Sequence, residues 1–180
     1  MNVPNILTVL RMIMIPLFVG AFLSEGINDW VAAMLFLAAA ITDAFDGYLA
    51  RKQNLVTDFG KLMDPLADKL MVMSAFVCFT AAGILHPLIT IIILAREFLV
   101  TGLRSVAVSK GKVIAADILG KAKTVSQYVF VVVTLIRRGG FFGLEDLLAI
   151  LQTFSLVVAI ALTVISMINY CLKNKEFFKG

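Results

Sequence analysis

Histidine and cysteine are nearly absent: one histidine, His86, and two cysteines, Cys78 and Cys171, in 180 residues. Neither cysteine stands in a C-x-x-C motif, so the chain offers no disulfide framework or thiolate metal cluster. Both lie in apolar segments and read as small buried hydrophobes, which fix no redox compartment. His86 sits in an uncharged turn, Gly83-Ile84-Leu85-His86-Pro87, and reads as structural. Charge is also scarce. Only 16% of residues are charged against 61% hydrophobic, and mean hydropathy is +0.97. Soluble domains hold about 45–50% apolar residues, so this composition belongs in a membrane. No Ser/Pro linker, low-complexity tract or internal repeat appears, which predicts one domain over residues 1–180. No basic segment precedes the first apolar run and no cleavage site follows it, so that run reads as a retained span.

The apolar runs predict an all-α, polytopic membrane protein with six transmembrane helices. They cover about 5–23, 28–50, 61 or 65–82, 88–108, 124–136 and 147–172. Pro16 should bend the first helix, and Pro65 suits a first turn. Residues 51–60 read as a polar loop, and 109–123 as a second polar connection. Ala32, Ala33, Ala38, Ala39 and Ala40 would let helices approach closely. Trp30 reads as an interfacial aromatic. Six spans put both termini on one side, and 14 of the 16 Lys and Arg residues fall there. The positive-inside rule makes that side cytoplasmic. Only Arg137 and Arg138 fall opposite, where Glu145 and Asp146 or lipid headgroups could pair with them. The basic residues thus follow the spans, and the net charge of +4 does not point to nucleic acid. A basic, aromatic tail, 173–180, suits an anionic membrane surface.

One stretch carries chemistry. Asp43-Ala-Phe-Asp46-Gly47-Tyr-Leu-Ala50-Arg51 is followed, after eight residues, by Gly60-Lys-Leu-Met-Asp64-Pro-Leu-Ala-Asp68. Helical spacing of three and four puts each aspartate pair on one face, so two helices could present four carboxylates to one small volume. Intramembrane carboxylates are costly and usually mark function. Four of them repel one another unless cations bind between them. An all-oxygen set favours Mg²⁺, then Mn²⁺ or Ca²⁺. It suits two ions about 3.5–4 Å apart, the arrangement used in phosphoryl chemistry.

This pattern resembles the signature of the CDP-alcohol phosphatidyltransferase family, D-x-x-D-G-x-x-A-R, eight residues, G-x-x-x-D-x-x-x-D, with every position filled at the right spacing. Pro4-Asn5, Leu7-Thr8 and Arg11 match the family's opening as well. The resemblance implies a bacterial plasma-membrane enzyme whose site faces the cytoplasm, and a homodimer. It implies that Asp43, Asp46 and Asp64 are metal ligands, and that Asp68 contributes to the second metal and acts as general base. Gly47, Ala50, Arg51, Thr57 and Gly60 would bind CDP-diacylglycerol. Small residues near the Asp43 face leave room for a nucleotide, and Arg51 can reach its diphosphate.

The stretch Arg96-Glu97-Phe98, Thr101-Gly102-Leu103-Arg104, with Gly120-Lys121-Ala122-Lys123-Thr124, resembles the branch of that family whose acceptor is glycerol 3-phosphate. Lys61, Arg104, Lys121, Lys123 and Arg11 would then hold the acceptor phosphate. The positive-inside rule alone would also place such residues there, and Arg96 and Glu97 could pair with neighbours merely to carry charge inside an apolar run. Another acceptor, inositol phosphate or serine, stays open, as does a divalent-cation transporter using the same acids. Transporters commonly show repeated halves, which are not visible here.

Overall fold

The computed structural model describes the backbone of residues 3–24, 29–53, 58–112, 117–140 and 143–175, and the side chains there except those of 3–5, 7, 43–53, 58–62, 64, 65 and 68. These residues form six helices: α1 (Val3–Leu23), α2 (Asp29–Gln53), α3 (Asp58–Ala81), α4 (Pro87–Ser109), α5 (Ile118–Arg138) and α6 (Glu145–Lys173). No strand occurs among them. The expected all-α class therefore holds.

Two boundaries differ from the sequence expectation. The loop foreseen over 51–60 is shorter, because α2 continues through Gln53 and α3 already starts at Asp58. α5 starts at Ile118 rather than near 124, which makes Lys121 and Lys123 helical. Hydropathy marks where an apolar run stops. Lys, Arg and Gln are good helix formers, so a helix continues past that point. α1 runs on through Pro16. His86 caps α4, its Nδ1 accepting from the Leu88 N–H at 3.3 Å with Pro87 in the first turn. Gly83 takes φ 71° in the α3–α4 turn, a conformation that favours glycine.

Contacts fix how the helix ends are grouped. At one end, Trp30 at the start of α2 donates its indole N–H to Gly139 O after α5, at 2.9 Å. Arg138 pairs with Asp29 at 3.0 Å and lies over the Phe22 ring of α1, 4.2 Å from its centroid. Arg137 donates to Gln152 near the start of α6. The arginine pair is thus held by Asp29 and Gln152, rather than by Glu145 and Asp146, one of the two alternatives the sequence offered. At the other end, Lys69 of α3 donates to Thr101 Oγ1 of α4 at 2.5 Å. Asp117, before α5, accepts from Asn169 and Lys173 of α6 at 2.6 and 3.3 Å. The Lys173 hydrogen bond holds the Asp117 carboxyl below the usual carboxylate range. Consecutive helices therefore run antiparallel. The C-terminal ends of α2, α4 and α6 share one end of the bundle with the N-terminal parts of α3 and α5.

The interior joins an aromatic core to polar seams. Phe18, Phe22, Phe36, Phe76, Phe79 and Phe130 are buried and stack in tilted or edge-on pairs 5.5–6.2 Å apart. Ala32, Ala33 and Ala39 are buried against this core, whereas Ala38 faces outward. α5 and α6 are joined by Gln127 to Thr163 and by Gln152 to Thr134. Outside, the pattern reverses: Met34, Phe98, Ile118, Ile150, Phe154 and Leu172 are each at least 65% exposed. Apolar side chains outside and hydrogen-bonded polar ones inside suit lipid rather than water as the surrounding medium. Cys78 is buried as expected, but Cys171 is only half-buried. Among the described residues, α5 and α6 are long and apolar enough to cross a membrane; α4 is interrupted by Arg96, Glu97 and Arg104.

Candidate active site

The motif occupies two helix ends. Asp43, Asp46, Gly47, Ala50 and Arg51 lie in the last eleven residues of α2, and Gly60, Lys61, Asp64 and Asp68 in the first eleven of α3. α2 and α3 pack against each other. The side chains of all nine lie outside the described residues, as does Thr57 entirely. Among the described residues, no three His, Cys, Asp or Glu side chains cluster.

Lys69, directly after Asp68, lines a cavity of about 360 Å³ with Arg96, Glu97, Val100, Arg104, Gly120, Lys121, Thr124 and Val125. Among the described lining residues, four cations and one carboxylate sum formally to +3. An anion the size of a phosphorylated alcohol fits both that charge and that volume.

Each wall has a local cause. Arg104 stands in the last two turns of α4, half-buried, with its guanidinium 5.8 Å from the centroid of the Tyr170 ring. Its Nε is buried without a hydrogen-bond partner among the described residues. A buried donor left unmet costs about 1–3 kcal/mol, so the site is short of an acceptor. Lys121, one turn into α5, is exposed at the cavity mouth. Behind them, Arg96 Nη1 and Lys123 Nζ both donate to Glu97 Oε1, the former at 2.9 Å. Arg96 Nε reaches Ser166 Oγ of α6 at 3.3 Å. This buried group links α4, α5 and α6, and two cations offset the cost of burying the carboxylate.

Of the five residues expected to hold an acceptor phosphate, Arg104 and Lys121 share this cavity. Lys123 lies one layer deeper on Glu97 and lines a smaller adjoining space of about 60 Å³ with Lys69 and Gln127. Arg11 is buried on α1 at 1% exposure and is not part of this lining. Lys61 falls among the undescribed side chains. Sequence reasoning had not assigned Lys69 or Thr124 to the cavity. Lys69 had a signal, since it follows the last motif aspartate and so sits at the same helix level.

The profile of the CDP-alcohol phosphatidyltransferase family matches residues 1–167. The chain belongs to that family. Among its relatives, a Bacillus subtilis (strain 168) protein named CDP-diacylglycerol–glycerol-3-phosphate 3-phosphatidyltransferase is 39% identical, covering 99% of this chain and 97% of that protein. A Rickettsia felis protein of the same name is 38% identical over 98% of this chain and 97% of its own. A Mycobacterium tuberculosis protein, named a probable phosphatidylglycerophosphate synthase, is 37% identical over 94% of this chain and 79% of its own. As a CDP-alcohol phosphatidyltransferase, the chain carries its family signature on α2 and α3, at the bundle end where the cationic cavity opens.

Proposed function

We propose that this protein transfers the phosphatidyl group of CDP-diacylglycerol to glycerol 3-phosphate, giving phosphatidylglycerophosphate and CMP, as a step of anionic phospholipid synthesis. One observation carries the choice of acceptor: a cavity lined at +3, with an unmet arginine donor, directly follows the last aspartate of a complete family signature. The names of the full-length relatives agree. A cytidine diphosphate site does not need a second cationic pocket, whereas a phosphorylated acceptor does.

The six helices are read as six spans. They hold 21 to 29 residues each, or roughly 30–43 Å at 1.5 Å per residue, enough for a bilayer core. Both termini and the signature end then face the cytoplasm by the distribution of Lys and Arg. The functional unit is a homodimer in the plasma membrane, by family resemblance.

Four carboxylates on facing helix ends form a hard-oxygen donor set that fits divalent cations, Mg²⁺ first and Mn²⁺ second. Asp43, Asp46, Asp64 and Asp68 would hold two such ions, which supply positive charge against the diphosphate. Gly47, Ala50, Thr57 and Gly60 leave room for the cytidine, and Arg51 binds diphosphate oxygens. Arg104, with Lys121, Lys61 and Lys69, holds the acceptor phosphate. Asp68 takes the proton of the acceptor hydroxyl. That oxygen forms a bond to the phosphorus carrying diacylglycerol, the bond from this phosphorus to the bridging oxygen breaks, and CMP leaves. Positioning and electrostatics supply the rate.

The test is CMP release from CDP-diacylglycerol by purified protein with glycerol 3-phosphate, serine or inositol phosphate. Glycerol 3-phosphate should give the highest kcat/KM. A preference for serine or inositol phosphate overturns the acceptor. Absence of CMP release with every acceptor, together with divalent-ion uptake into liposomes, would replace the enzyme with a transporter.

A further inference from the structure

The cavity holds a group that phosphate binding does not explain. Among the described lining residues Glu97 is the only carboxylate, and a negative charge among cations weakens the hold on a phosphate dianion. Pairing alone would not require it to line the cavity. Glu97 nonetheless borders both the main cavity and the smaller adjoining space. Its two ion-pair contacts both fall on Oε1. Oε2 accepts no hydrogen bond among the described residues, and it is not among the buried, unmet atoms. One oxygen is thus anchored by Arg96 and Lys123, while the other carries no hydrogen bond among the described residues, in a side chain that lines both spaces.

We infer that Glu97 is a specificity-determining residue, whose Oε2 accepts a hydrogen bond from the acceptor's non-reacting hydroxyl. The inference rests on the proposed acceptor. A phosphorylated polyol presents three groups: a phosphate, the attacking hydroxyl and a second hydroxyl between them. Arg104, Lys121 and Lys69 suit the first, and Asp68 the second. A carboxylate acceptor suits the third, because an ionised oxygen makes the stronger hydrogen bond to a hydroxyl. Its rigid anchor matters. Arg96 is held in turn by Ser166, so α4, α5 and α6 all fix where Oε2 stands. A site built to bond a hydroxyl rejects the analogue without it, because its own polar group is left unmet.

The experiment compares glycerol 3-phosphate with 3-hydroxypropyl phosphate, which keeps the phosphate and the attacking hydroxyl but lacks the secondary one. Wild-type protein should favour glycerol 3-phosphate in kcat/KM by roughly ten- to a hundred-fold, the range of one charged hydrogen bond. In Glu97→Gln that ratio should fall by about tenfold, since a neutral acceptor replaces an ionised one. The loss should fall chiefly on glycerol 3-phosphate. Both acceptors are read on the same protein, so partial misfolding cancels from the ratio. Equal loss on both, with the ratio retained, overturns the inference and leaves Glu97 a structural ion-pair member. Should Glu97→Gln not fold, the wild-type ratio still decides: equal use of the two acceptors overturns the inference. A wild-type enzyme that ignores both but uses an unphosphorylated alcohol instead overturns the acceptor assignment itself, and this inference with it.

Discussion

Arg104→Ala should separate acceptor binding from donor binding. Arg104 lines the cationic cavity, and its Nε is buried with no partner among the described residues. An acceptor phosphate would supply the missing oxygen and turn an unmet donor into a charge-assisted hydrogen bond. Such a bond is worth about 1.5–3 kcal/mol. At roughly 1.4 kcal/mol per decade, its loss raises the KM for glycerol 3-phosphate about ten- to a hundred-fold. Fold stability should change little by comparison. Truncation removes a buried unmet donor and loses a cation–π contact with the buried Tyr170 at 5.8 Å, worth about 0.5–2 kcal/mol. Arg104→Lys should fall between the two, because a point charge keeps attraction but loses the fork of donors. The assay is CMP release with glycerol 3-phosphate varied at saturating CDP-diacylglycerol, then the reverse. An unchanged KM for glycerol 3-phosphate, or an equal rise in the KM for CDP-diacylglycerol, would refute the reasoning. Lys121→Ala should act in the same direction but more weakly, since Lys121 is exposed.

Three further outcomes follow from other parts of the molecule. Excess chelator should abolish CMP release and added Mg²⁺ or Mn²⁺ restore it; full activity in chelator would remove the two-ion reading of the aspartates. Asp68→Asn should cut turnover by about 10²–10⁴-fold, the usual share of a general base, while CDP-diacylglycerol still binds in a direct titration; near-normal turnover would take that role from Asp68. Gly139→Ala should lower the thermal midpoint in detergent, because its Cβ would meet Trp30 Cε2 and Nε1 at 2.9 Å; overpacking of this kind costs about 1–3 kcal/mol, and an unchanged midpoint would mean that Trp30 moves aside freely.

The fold class was legible because apolar runs and polar turns alternate at helix length. The helix ends were not. Hydropathy stops at a charge, but Arg51, Lys52 and Lys121 favour helix and extend α2 and α5 past their apolar parts. The partners of Arg137 and Arg138 were not legible either: the sequence offered Glu145 and Asp146 or lipid headgroups, and only the antiparallel packing brings Asp29 and Gln152 near. In the site, Arg104 and Lys121 were legible as cations expected at one end of the helices. That cue could not rank depth, so it grouped exposed Lys121 with Lys123, which is buried on Glu97. Glu97 itself was visible only as a charge in an apolar run. Its role depends on which of its oxygens is occupied, and that is set by α5 and α4 together.

The central claim is that the acceptor hydroxyl attacks the phosphorus that carries diacylglycerol. Glycerol 3-phosphate labelled with ¹⁸O in its primary hydroxyl, incubated with CDP-diacylglycerol and the protein, tests it in one mass spectrum. The account predicts a lipid product with two phosphates that contains the label, beside unlabelled CMP. Label in the cytidine nucleotide, or a lipid product with a single phosphate, would contradict it.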